Sequence, residues 1–127
     1  MHITTKPSDI PISSRVSSML TQWFGWEVLN EMDYSTLARK GVDPRVLTRL
    51  QDHGFSRAEL QWVIASRTLS HRLAKNEQLT CDESAKAIRA ARLTAQAEAV
   101  FGDPIKAHRW LSKPKKQLID HYFGVVS

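Results

Sequence analysis

The stretch SRAELQWVIASRTLSHRLAKN, residues 56–76, decides how the chain folds. Ser56 followed three residues later by Glu59 has the form of a capping box, in which hydroxyl and carboxylate each accept the other residue's backbone N–H. That signal opens a helix expected to bury Leu60, Val63 and Ile64. Ala65-Ser66 leaves room only for a tight turn, and Ser66 is placed to cap a second helix, about Arg67 to Asn76. Leu69 and Leu73, four residues apart, turn inward there, which leaves Arg67, Ser70, His71 and Lys75 facing out. Two short helices joined in this way outline a helix-turn-helix, and equally an αα-hairpin with a solvated face. The turn lacks the glycine that helix-turn-helix turns usually carry.

On the first of these readings the second helix enters the major groove, where arginine donates bidentately to guanine and serine or histidine makes single hydrogen bonds. Arg67, Ser70 and His71 are then the base-reading residues, and Thr68 and Lys75 touch phosphates, which position the protein without reading sequence. Arg72 completes the basic set, either on DNA or as a partner inside the bundle.

Upstream, Asp43-Pro44 is a helix start, since the carboxylate caps free N–H groups and proline suits the first helical position. Val46, Leu47 and Leu50 form the stripe that helix buries, and Gly54 is placed to end it. Val16, Met19, Leu20 and Trp23 recur at helical spacing and predict a first helix from Arg15 to about Met32, weakened by Gly25. Residues 1–14, rich in Ser, Thr and Pro, read as a flexible arm.

Downstream, Thr80 and Glu83 repeat the capping box and open the longest helix, about 81–101. Ala85, Ala87, Ala90, Ala91, Ala95, Ala97 and Ala99 give it a small-residue face that lets neighbouring helices approach closely, while Lys86, Arg89 and Arg92 make the opposite flank basic. Gly102 stops it, and Asp103-Pro104 repeats the Asp-Pro start before a short helix carrying Ala107, Trp110 and Leu111 on one side. Pro114 interrupts, and Leu118, Ile119, Tyr122 and Phe123 fit a last helical turn or two. Strand signals are weak throughout. The expected fold class is all-α, with an arm over 1–14, a helix-turn-helix region over 15–79, and a long Ala-rich helix with a small helical domain over 80–127.

Composition narrows the function. With 127 residues, 42% apolar and 24% charged, the chain has the make-up of an ordinary single globular domain. The net charge is +5, and the excess lies late: residues 1–54 hold six basic and six acidic side chains, residues 55–127 twelve and seven. A positive field confined to one part of a small domain favours a polyanionic partner. No segment approaches a membrane span and the N-terminus lacks a secretory h-region, so a cytoplasmic protein is expected. The single Cys81 has no second thiol for a disulfide or a metal knuckle, and His2, His53, His71, His108 and His121 are scattered. No nucleophile motif or phosphate-cradling glycine loop is present, so no catalytic residue, metal or cofactor is assigned, and an enzyme is not expected.

Taken together, Ile64-Ala65-Ser66-Arg67-Thr68-Leu69-Ser70-His71-Arg72, Leu79, Glu83-Ser84, Arg89 and Arg92, then Val100-Phe101-Gly102-Asp103, Lys106-Ala107, Trp110-Leu111 and Pro114 resemble the Xre/MbcA/ParS-type antitoxins, the partners of RES-domain toxins. The resemblance runs from about Asp33 to Leu118. It implies an Xre-like helix-turn-helix followed by a toxin-binding domain, in a homodimer that sequesters an NAD-consuming toxin and represses its own operon at the promoter. The family's toxin-binding segment falls here on Phe101, Gly102, Lys106, Ala107, Trp110, Leu111, Pro114 and Leu118. After Leu118 the family usually continues with a Gly-Gly pair and a further helical stretch. Here Ile119-Asp120-His121-Tyr122-Phe123 follows, so a shortened or altered toxin-binding end is expected. Two other readings accompany the resemblance: a DNA-binding repressor that has lost toxin neutralisation, and a toxin-binding protein that no longer reads DNA.

Overall fold

The computed structural model describes residues 12–112, and among these every regular element is a helix. They run in the order α1 (Ile12–Phe24), α2 (Glu31–Lys40), α3 (Arg45–Asp52), α4 (Ser66–Lys75), α5 (Cys81–Phe101) and α6 (Pro104–Ser112). The central α5 packs against α1, α2, α3 and α6. Of its expected small-residue face Ala87, Ala90, Ala91, Ala95, Ala97 and Ala99 are buried, and Ala85 is half-buried. Methyl-sized side chains at these positions let several helix axes approach one long helix, and the larger knobs come from the partners and from Ile88 of α5 itself. Leu20 from α1, Leu47 and Leu50 from α3, Leu60, and Leu69 from α4 are almost wholly withdrawn from solvent. Each such leucine contributes about 1.5–3 kcal/mol of burial free energy.

The cap at α5 forms as expected. Thr80 Oγ1 accepts the Glu83 N–H at 3.2 Å and the Glu83 carboxylate accepts the Thr80 N–H at 2.9 Å. Both Asp-Pro starts form by one mechanism: Asp43 accepts the Arg45 N–H at 2.9 Å, and Asp103 accepts that of Ile105 at 3.0 Å. In each case the carboxylate reaches past the proline, which has no N–H of its own.

The first helix differs from expectation. It begins at Ile12 and stops at Phe24, because Gly25 takes φ +66°, a conformation that favours glycine and ends the helical run. An unforeseen helix, α2, follows, and Asn30 and Asp33 cap it reciprocally, with Asp33 N–H to Asn30 Oδ1 at 3.0 Å and Asn30 N–H to Asp33 Oδ2 at 3.2 Å. The helix expected after Ser56 is a second departure. The Ser56–Glu59 box is made, at 2.9 and 3.1 Å. Beyond it the backbone bonds mix three- and four-residue reaches, Val63 to Leu60 and Ile64 to Leu60 among them, so residues 57–63 are a series of hydrogen-bonded turns. Leu60, Val63 and Ile64 are nevertheless buried as predicted. Packing sets the burial there and overrides the regular ladder.

A buried hydroxyl ties the chain together across sequence. Ser84, on α5, is fully buried; its Oγ accepts the Val42 N–H at 2.8 Å and donates to the Leu79 carbonyl at 3.3 Å. The Leu79 N–H in turn donates to the Val42 carbonyl at 2.9 Å. These bonds tie the α2–α3 and α4–α5 connections to each other and to α5.

Candidate nucleic-acid interface

The polar face of α4 is set by what its other face buries. Leu69 is 1% exposed and Leu73 packs partly buried against the core. With 3.6 residues per turn, that orientation puts Arg67, Ser70, His71 and Lys75 in solvent, and all four are exposed. Thr68 is half-buried at the edge of the face. The expected cap at Ser66 is not made: Ala65 is the N-cap residue, with no side-chain bond to the helix, and Ser66 is the first helical residue.

Ser66 is instead bound by Arg57, which sequence reasoning did not single out. Its Nη1 donates to the Ser66 carbonyl at 3.2 Å and to Ser66 Oγ at 3.3 Å, and also to the Ser70 hydroxyl. Ser66 is therefore an acceptor for the guanidinium. The spacing of nine and thirteen residues carries no motif, and only the turns over 57–63 bring Arg57 onto α4.

Arg72 occupies the opposite side of α4. It donates from Nε to Glu83 at 3.0 Å, from Nη2 to Glu83 at 3.3 Å and from Nη1 to Glu77 at 3.2 Å. Its side chain is 19% exposed. Burial pushes the Glu83 carboxyl up, but the Thr80 N–H and the Arg72 guanidinium outweigh that and hold it below its usual range. The structure thus brings Arg67, Ser70, His71 and Lys75 onto one open face and places Arg72 in the α4–α5 joint. The basic flank expected on α5 is partly neutralised too, Lys86 by Asp82 at 3.1 Å and Arg92 by Glu31 at 2.6 Å, with Arg92 also 4.2 Å over the Tyr34 ring. Arg89 stays exposed.

A second surface lies where α5 meets α6. Phe101 and Trp110 bring their ring centroids to 5.7 Å across the Gly102 bend, and Phe101 is 39% exposed. Val100, at the end of α5, and Ile105, at the start of α6, are 63% and 68% exposed. Gly102 and Lys106 are exposed, Leu111 is half-buried, and Ala107 is fully buried as the contact that docks α6. Pro114 and Leu118 lie outside the described residues.

The α6 helix is held to the segment preceding α4. His108 Nε2 lies 3.2 Å from both Glu59 carboxylate oxygens, and its ring meets Phe55 edge-on at 4.8 Å. A neighbouring pair, His53 Nδ1 to Glu98 Oε2 at 2.5 Å, joins the end of α3 to α5, where burial raises the Glu98 carboxyl while His53 opposes the rise.

Comparison with known proteins reaches the same part of the chain. Residues 33–92 match a family model described as the antitoxin Xre-like helix-turn-helix domain. A protein named antitoxin Xre from Pseudomonas putida is 39% identical over 92 residues, covering 72% of this chain and 58% of that protein. The chain therefore spans a little over half the length of that curated relative.

Proposed function

Through residues 33–92 the chain belongs to the Xre-type antitoxin family, and from that premise we propose that it is the antitoxin of a type II toxin–antitoxin pair. It binds promoter DNA through α4 and a toxin protein through the α5–α6 corner. The observation that carries the DNA reading is the outward face of α4, where Arg67, Ser70, His71 and Lys75 are all exposed within the matched domain. Arg67 and His71 are one turn apart and suit base edges, while Lys75 and the rim residue Thr68 suit phosphates. A homodimer presents two such helices to half-sites one turn of DNA apart and so represses its own operon.

The toxin reading rests on the Phe101–Trp110 ring pair and on the exposed Val100 and Ile105 at the same α5–α6 junction, large apolar side chains of the kind that anchor interfaces. The partner is a RES-domain toxin that consumes NAD, met by Phe101, Gly102, Lys106, Trp110, Leu111 and, beyond the described residues, Pro114 and Leu118. The site of action is the cytoplasm; none of the described helices is long and apolar enough to cross a membrane.

The test is NAD consumption by the toxin-like product of the adjacent gene, with and without one molar equivalent of this protein. Inhibition at that ratio is the expected result. Unchanged turnover by a folded protein that still binds its upstream promoter would overturn the neutralising half of the proposal and leave a DNA-binding repressor.

A further inference from the structure

The three contacts of Arg57 Nη1 fall on the first turn of α4 and on a hydroxyl in the middle of its open face. A serine hydroxyl has one proton to donate and two lone pairs to accept with. In this structure a permanently charged donor occupies one lone pair of Ser70 Oγ, and its positive charge disfavours a second donor beside the same oxygen. The Ser70 proton is left as the group that hydroxyl presents outward.

We propose that Arg57 is a positioning residue for base reading: its guanidinium fixes Ser70 as a hydrogen-bond donor, so that Ser70 selects a base edge offering an acceptor. This inference rests on α4 being the DNA-reading helix. In the major groove guanine O6 and N7, adenine N7 and thymine O4 are acceptors, whereas cytosine presents only its N4 amino donor. At the one position Ser70 reads, cytosine is the base selected against. Arg57 also donates to the Ser66 carbonyl and hydroxyl, so one side chain from outside the helix touches both the first turn of α4 and its central hydroxyl. The polar face read from the sequence of α4 is therefore completed by a residue that precedes it.

The experiment selects duplexes from a randomised DNA pool at fixed salt with the full chain, Arg57→Ala, Arg57→Lys and Ser70→Ala. Circular dichroism and thermal melting are recorded for each. The wild-type chain should disfavour cytosine several-fold at one position, and Ser70→Ala should flatten that position alone. Arg57→Ala should flatten the same position and leave the others as they were. Arg57→Lys, whose ammonium can still donate to Ser70, should keep part of the preference, and it carries the test if the alanine variant melts early. An Arg57→Ala profile that keeps the Ser70 position intact would overturn the proposal. So would a uniform loss of affinity with a shallower salt dependence, the signature of a phosphate contact. If the wild-type chain enriches no sequence, the DNA reading fails first and takes this inference with it.

Discussion

Arg72 donates from Nε to Glu83 Oε1 at 3.0 Å, and the same Glu83 oxygen accepts the Thr80 N–H that caps α5 at 2.9 Å. One carboxylate therefore closes a helix start and clamps the end of α4 against it. Two arginines five residues apart on α4 consequently serve different ends, because Arg67 is exposed and Arg72 is bound at the joint.

Arg67→Ala and Arg72→Ala should separate in experiment. Arg67→Ala is expected to leave the melting temperature within a degree or two and to weaken promoter binding by about 1–3 kcal/mol, with relaxed preference at one base. Arg72→Ala should lower stability by about 1–2 kcal/mol, the scale of a partly desolvated charged hydrogen-bond pair. Urea unfolding and titration of promoter DNA measure both. Equal stabilities for the two variants would contradict the assignment.

Ser84→Ala removes the acceptor of the buried Val42 N–H, bonded at 2.8 Å. An unsatisfied buried donor costs about 1–3 kcal/mol, and the loss should appear in the denaturation midpoint with an unchanged m-value. Hydrogen exchange at the Val42 amide should rise with it.

Gly54 holds φ +111°, and a Cβ built there would lie 3.0 Å from the His108 ring. Gly54→Ala combines backbone strain with displacement of α6 and should destabilise by about 1–3 kcal/mol. Because α6 carries the proposed toxin contacts, toxin affinity should fall as well, while the α4 face keeps its DNA affinity.

Ile105, at the start of α6, is 68% exposed. Ile105→Asp should leave the fold within about 0.5 kcal/mol, as expected for a surface position. It should weaken the toxin complex at least tenfold by calorimetry, with DNA binding retained. Unaltered toxin affinity would move the interface away from this corner.

Acid should unfold the protein through its paired carboxylates. The Arg92 hydrogen bond holds Glu31 below its usual range, the Arg45 bond does so for Asp43, and Glu83 is lowered as described. A carboxyl with a depressed folded-state pKa binds its proton more readily unfolded, so its stabilisation is present above the unfolded value, near 4.5 for Glu83, and is lost as pH falls through the folded one. Glu98 has the opposite sign: burial raises its folded-state pKa, so its contribution is present at low pH and lost as pH rises through that raised value. Melting curves from about pH 7 downward should therefore show a smaller acid loss in Glu83→Gln and a larger one in Glu98→Gln.

The two capping boxes at Ser56 and Thr80 and the Asp-Pro starts at Asp43 and Asp103 were legible because their partners lie two or three residues away. The leucine and alanine stripes of α3, α4 and α5 were legible because helical periodicity reports burial directly. The Asn30–Asp33 box carried a readable signal too, but a first helix drawn through Gly25 hid it. Residues 57–63 lay beyond such reading, since a good cap and a buried stripe do not specify a regular ladder when packing decides the backbone.

Local chemistry in the sequence determined that the regular elements of the described residues are all helices, where α3, α5 and α6 begin, and which face of α4 is polar. Tertiary structure alone decided that Arg72 belongs to Glu83, that Arg57 belongs to Ser66 and Ser70, and that His108 belongs to Glu59. The physical reason is one of range. Caps and stripes are made within a few residues of backbone, whereas these pairs span nine to forty-nine residues and exist only once α4, α5 and α6 have been brought together by burying their apolar faces.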